Sequence, residues 1–191
     1  MSDFSYLQVS IALVAMLILM SACSPIKTEI RTQIQVDAPS KVVWSVLTDF
    51  DAYKEWNPYH VLVLHSPEGP CAVKPECISL GDPLHVFIKK PDGARLDLEV
   101  SILALEAEQK LFWGGGITGI FKGEHRFILR SDGPDRTILH HDEDFSGLAL
   151  PFVPLRPDLI EKGYQLMNKA VKERAEAIFN HAARAGGINR R

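Results

Sequence analysis

The 191 residues carry 21 Lys and Arg against 24 Asp and Glu, a formal net charge of −3 with acids and bases interspersed. That balance excludes the basic stripe a nucleic-acid binder needs, so nucleic acid is discounted as a partner. The length suits a single domain with one core once an export segment is set aside, and the 46% hydrophobic content is ordinary for a globular chain, although part of it lies before residue 23.

The first feature in chain order is Val9–Ala22, VSIALVAMLILMSA. This apolar run is too short to span a bilayer comfortably and the right length for a signal-peptide core. Met20-Ser21-Ala22-Cys23 follows it and resembles a bacterial lipobox. The resemblance implies that Cys23 becomes the lipidated mature N-terminus, and Ser24 after it favours the outer membrane of a Gram-negative cell. The preceding segment MSDFSYLQ has no Lys or Arg and contains Asp3, so an uncleaved anchor helix stays open as the alternative. Either way the expected location is the cell envelope, with the domain membrane-anchored through its N-terminus and facing the periplasm or exterior. Residues 1–22 are then leader or anchor, 23–29 a tether, 30–185 the domain and 186–191 a loose tail. If Cys23 carries lipid, Cys71 and Cys77 remain as a pair, a disulfide in an oxidising compartment or, alternatively, a metal pair without further ligands at short spacing.

Glu29–Val36 alternates polar and apolar as a half-buried strand does. Asp37-Ala38-Pro39-Ser40 then reads as a helix start, with Asp placed to cap free amides and Val42, Val43, Val46 and Leu47 forming the buried stripe. A second short helix over residues 50–55 stops at Trp56-Asn57-Pro58, because the residue before proline avoids the helical region. Strands follow at 61–64, 84–89, 95–105 and 110–113. In the third of these Leu96, Leu98, Val100 and Ile102 share one face. Gly114-Gly115-Gly116 lacks the spacing of a phosphate-binding fingerprint and reads as a flexible turn or bend.

Residues 121–147 read as a hairpin around Ser131-Asp132-Gly133-Pro134-Asp135. A turn centred on Gly133 pairs His125 with His141, Phe127 with Leu139 and Leu129 with Thr137, and leaves Arg126 and His140 on the solvent side. Leu148–Pro157 is a proline-stiffened connector. A last helix over 158–184 places Leu159, Ile160, Leu166, Met167, Ala170, Val171, Ala175, Ile178 and Phe179 along one side, and at 1.5 Å per residue it is about 40 Å long.

Val36-Asp37-Ala38-Pro39 with Val43-Trp44, then Trp56-Asn57-Pro58, Gly123-Glu124-His125-Arg126-Phe127 and Glu143-Asp144-Phe145-Ser146-Gly147 carry a resemblance to the START-like (SRPBCC) superfamily, including its polyketide cyclase/dehydrase group, from Ile30 to Arg184. The resemblance implies an α+β helix-grip fold: a curved antiparallel sheet of six to seven strands around the long C-terminal helix, two short helices after the first strand, and an apolar cavity. The export segment and the cysteine loop depart from the soluble intracellular members. An antiparallel sheet with one apolar face needs a cover, and only the C-terminal helix has the apolar surface to supply it.

The expected ligand is a small apolar or amphipathic molecule, with Trp56, Tyr59, Phe87, Leu98, Trp113, His125, Phe127 and His141 as candidate contacts. His125, His141 and Glu143 are candidates for general acid–base work, set against a purely structural role for the same groups. No Ser-His-Asp context, cysteine nucleophile motif, cofactor motif or metal-ligand cluster is visible, so neither cofactor nor metal is expected.

Overall fold

The computed structural model describes residues 26–66 and 77–185. In chain order these form β1 (Lys27–Val36), α1 (Ser40–Thr48), a 3-10 turn (Phe50–Ala52), α2 (Tyr53–Trp56), β2 (His60–His65), β3 (Pro83–Lys89) and β4 (Arg95–Glu106). β5 (Lys110–Ile117), β6 (Phe121–Ser131), β7 (Thr137–Ser146), a second 3-10 turn (Leu150–Phe152) and α3 (Pro157–Ala185) complete it. The strands make one curled antiparallel sheet in the order β1-β7-β6-β5-β4-β3-β2. Cys23, the tether before Ile26, Cys71 and the tail from Gly186 lie outside the described residues, and with them the lipidation and the Cys71–Cys77 pairing expected there. No helix among the described residues is long and apolar enough to cross a membrane.

The helix α3 has 29 residues, about 44 Å at 1.5 Å per residue. It buries Gly163, Tyr164, Met167, Asn168, Val171 and Ala175 against the concave face of the sheet. Their four- and three-residue steps follow one stripe of the helix. Leu166 and Ile178, assigned to the apolar side from sequence, are 44% exposed, and Tyr164 and Asn168 take the buried stripe instead. The helix is tied to β1 and the residue after it at three levels: Asn168 Nδ2 donates to Thr32 Oγ1 at 2.9 Å, Lys172 Nζ to Gln35 O at 3.0 Å, and Asp37 N to Glu176 Oε1 at 2.8 Å.

Asp37 does not cap α1. The cap position is Pro39, with no side-chain hydrogen bond, and the Asp37 carboxylate instead accepts from Gln35 Nε2 at 3.0 Å. The three glycines are not a turn. They continue β5, pairing with β6 through Gly114↔Glu124, Gly115↔Gly123 and Gly116↔Lys122. A Cβ on Gly114 would stand 2.3 Å from Gly123 O, so the strands pack there backbone to backbone.

The β6–β7 hairpin is offset from the expected register by two residues. Ser131 pairs with Thr137, leaving five residues in the turn, and the observed partners are Leu129↔Leu139, Phe127↔His141 and His125↔Glu143. Because the side-chain period of a strand is two, an even offset keeps every side chain on its face. His125, Phe127, Leu129, Leu139 and His141 are all buried. Arg126 lies on the outer face, where it donates to Asp144.

Candidate functional site

A cavity of about 440 Å³ lies between the concave face of the sheet and the first half of α3. Its side walls are apolar: Val86 and Ile88 from β3, Leu96, Leu98 and Val100 from β4, Phe121 from β6, Phe145 from β7, and Leu159 and Ile160 from α3. Bare backbone at Gly114, Gly115, Gly116 and Gly123 forms part of the lining. A Cβ at Gly123 would come within 3.3 Å of both Glu143 Oε1 and Phe145 Cε1. Leu96 is 40% and Leu98 39% exposed although they point inward, because the space beside them is void and not helix.

The inner end is polar and aromatic, built from Tyr59, His60, Trp113, His125, Glu143 and Tyr164. Trp113 faces His125 across β5 and β6 and the rings stack at 4.3 Å with 11° between planes. Tyr59 meets Tyr164 edge-on at 5.5 Å. This contact exists because residue 163 is glycine: a Cβ there would sit 2.2 Å from Tyr59 Cε2.

Behind the lining runs a chain of hydrogen bonds whose direction the donors fix. Thr32 Oγ1 donates to His141 O at 2.7 Å, so it accepts from Asn168 Nδ2. Asn168 Oδ1 is then the acceptor for His141 Nδ1–H at 2.8 Å. Neutral His141 thus has its lone pair on Nε2 and accepts His125 Nε2–H at 2.7 Å. His125 Nδ1 is left as a buried lone pair without a partner in the protein. His60, with its ring 5.0 Å from His125, has an unpartnered Nδ1 as well.

Burial sets the charge state of this cluster. Desolvation lowers His60 to about 3, and lowers His125 and His141 well below the ordinary imidazole value, with the neighbouring imidazoles adding to the effect. All three are neutral at physiological pH. Glu143 moves the other way: desolvation pushes its carboxyl up to about 7, against the opposing hydrogen bond donated by Tyr164 OH. The same burial, with the Glu143 charge nearby, raises the Tyr164 phenol well above its usual value. The inner end therefore holds one acid poised near neutrality among neutral donors and acceptors.

Of the residues singled out from sequence, Tyr59, Leu98, Trp113, His125 and Glu143 line this cavity. Phe127 and His141 are fully buried behind it. Trp56 does not line it, and packs at 5.0 Å against Tyr53 in the core. Phe87 is turned to the other face of the sheet, stacked on His85 at 4.3 Å, and lines a separate open groove with Val61, Leu62 and Arg95. His60, Tyr164 and Asn168 were missed. The helix spacing Ile160, Tyr164, Met167, Asn168 and Val171 holds the signal for two of them. Among the described residues no group of His, Cys, Asp and Glu is arranged to hold a metal ion.

The model of the family described as "Polyketide cyclase / dehydrase and lipid transport" matches residues 27–183. No curated protein matches the chain. Similar solved structures include a START superfamily protein from Mycobacterium smegmatis, 18% identical, covering 81% of this chain and 98% of that one with a TM-score of 0.56. The Zhui aromatase/cyclase from Streptomyces sp. R1128 is 18% identical over 79% of this chain and 94% of that one, with a TM-score of 0.60. Norcoclaurine synthase from Thalictrum flavum is 12% identical over 80% and 96%, with a TM-score of 0.55. At these identities the structures speak for the fold alone, and it is the match across nearly all the described residues that settles membership: the chain belongs to the polyketide cyclase/dehydrase and lipid transport family.

Proposed function

We propose that this protein binds a small apolar or amphipathic molecule in the cavity, without obligatory chemistry, while tethered to the cell envelope. The observation that carries this reading is the asymmetry of the 440 Å³ cavity, with apolar side walls and a polar inner end of His60, His125, Tyr59, Tyr164 and Glu143. Apolar walls give a ligand its affinity and a few placed polar groups give it orientation. The family description, which names lipid transport, supports the same class of ligand. Tethering is supported by the apolar run Val9–Ala22 and the lipobox-like Met20–Cys23, and a Cys71–Cys77 disulfide by the oxidising compartment that export implies.

The test is organic extraction of the full chain purified from membranes, with mass spectrometry of the extract. A recurrent apolar species, lost from a Leu98→Trp variant that fills the cavity and still folds, is the expected result. A folded protein that comes away empty and binds no lipid or aromatic probe overturns the reading. Intact mass distinguishes a diacyl or triacyl chain starting at Cys23 from one retaining residues 1–22.

A second reading, general acid–base catalysis, is favoured by one observation: the Glu143 carboxyl lines the cavity with its pKa raised to about 7 and Tyr164 OH bound to it. Glu143 would be the proton-transfer group. His125 is the neighbouring acceptor, and His141, out of reach of a ligand, positions His125. Turnover that survives Glu143→Gln together with replacement of both histidines sinks it.

A further inference from the structure

Four large apolar side chains stand in solvent at one end of the fold: Ile117 at 64% exposure, Ile120 at 54%, Leu148 at 70% and Phe152 at 86%. They come from two segments that the backbone binds together. Leu148 N donates to Gly119 O at 3.0 Å and Ala149 N to Ile120 O at 2.8 Å. Gly147 permits this closure: its φ is +125°, and a Cβ there would lie 2.3 Å from Ile120 O. Large apolar side chains gathered like this in solvent at one end of a fold mark something to be covered.

Two further observations say what covers it. First, the described chain enters the fold here, with Gly147 N donating to Ile26 O at 3.2 Å, one residue from Leu148. Cys23 is three residues upstream of Ile26, and three extended residues reach at most about 10 Å. An anchor ending at Cys23 therefore cannot stand far from Leu148 and Ile120. Second, the connector that carries Phe152 continues directly into Val153, Pro154 and Leu155, which line the cavity. The start of the described chain at Ile26, the apolar patch and the cavity rim lie together, while the β6–β7 and β4–β5 turns lie at the opposite end of the sheet.

We infer that Ile117, Ile120, Leu148 and Phe152 form a docking face for the lipid bilayer, on which the tether seats the domain so that the rim of the cavity meets the membrane surface. A ligand then passes between bilayer and cavity without crossing water. The inference rests on the tethered-binding reading above, and the docking face can fail while the tether stands.

The experiment uses the full chain reconstituted in vesicles of phosphatidylethanolamine and phosphatidylglycerol, with a photoreactive phenylalanine analogue at position 152 or, as control, at Ala107 in the exposed β4–β5 turn. Vesicles are floated, irradiated, and the protein is analysed for lipid adducts by mass. The expected result is a lipid adduct at position 152 at least tenfold more abundant than at position 107. Chain that floats with the vesicles but gives no such excess overturns the docking face and leaves the tether. Chain that does not float and gives no adduct removes both. A crosslink from position 152 to a second copy of the chain in place of lipid makes the patch a self-contact and also overturns the inference.

Discussion

His141 stands 2.7 Å from His125 and 2.8 Å from Asn168, accepting from the first and donating to the second. One amide on α3 thus fixes the tautomers of two imidazoles on the sheet, and through Thr32 it reaches β1 as well. Replacing Asn168 with Leu leaves His141 Nδ1–H and Thr32 Oγ1 without their partner in a dry interior. A loss of about 2–4 kcal/mol is expected, since each orphaned buried group costs roughly 1–3 kcal/mol. Urea unfolding should show the midpoint falling with the slope unchanged; a midpoint within error of the parent would mean that the relay holds nothing.

The histidine cluster makes the fold sensitive to acid. His60 has a folded-state pKa of about 3 against 6.5 when unfolded. Its contribution is fully present above the unfolded value and is lost as pH falls from about 6.5 towards 3. At pH 5 this group alone removes about 2 kcal/mol, at 1.36 kcal/mol per pH unit. His125 and His141 are lowered in the same direction and add to the loss. In a His60→Phe variant, unfolding free energy measured from pH 7 to pH 4.5 should fall with a slope about one proton shallower than the parent. Parallel curves would show that His60 is not held neutral.

Gly163 is a helix-interior glycine whose replacement by alanine would ordinarily stabilise by about 1 kcal/mol. Here the new methyl would stand 2.2–2.3 Å from two atoms of the Tyr59 ring, which is itself buried against Tyr164. Tyr59 cannot retreat without losing that edge-on contact and its place in the cavity lining. Gly163→Ala is therefore expected to destabilise by about 1–3 kcal/mol, the usual cost of overpacking, and to weaken binding of an apolar probe. A gain in melting temperature would mean that the helix shifts freely on the sheet.

How much of this was legible in the sequence depends on which physical signal each residue carried. The sheet and the gripped helix were readable because period-two and helical spacings hold over long stretches. The inward set on β6 and β7 survived a misplaced turn because the error was even. Phe87 was misassigned although β3 alternates: Leu84, Val86 and Ile88 share one parity and His85 and Lys89 the other, and only the apolar ring at position 87 on the polar parity suggested a place inside. Leu96 and Leu98 show the converse. Their face was right, yet whether an inward residue meets helix or void is decided by how α3 sits, which no local pattern encodes. Tyr164 and Asn168 are not legible because the polar atoms of a helix residue give no sign of facing inward until their partners are known. Here the partners, Glu143 and His141, lie 21 and 27 residues away.

Glu143 gives the cavity a titration near neutrality, and its sign is opposite to that of the histidines. Its carboxyl has a folded pKa of about 7 against 4.5 unfolded, because burial disfavours the anion more than Tyr164 favours it. The stability this provides is fully present below pH 4.5 and is lost as pH rises through about 7, amounting to roughly 3 kcal/mol at pH 8. Between pH 4.5 and 7 this loss runs against the gain that the histidines bring as pH rises towards 6.5, so the Glu143 contribution is read as the difference between the parent and a variant that keeps the histidines. Glu143→Gln keeps a neutral acceptor for Tyr164 OH and cannot ionise, so the parent's unfolding free energy minus the variant's should fall by about 1.4 kcal/mol per pH unit between pH 5 and pH 7 and level off above about pH 7.5. The same ionisation places an anion at the inner end of the cavity. Above pH 7 the parent should therefore lose affinity for a long-chain fatty acid more steeply than for the matching fatty alcohol, while Glu143→Gln treats the two alike. Identical pH profiles for parent and variant in both measurements would mean that the Glu143 carboxylate is solvated in the free protein and does not set the polarity of the cavity.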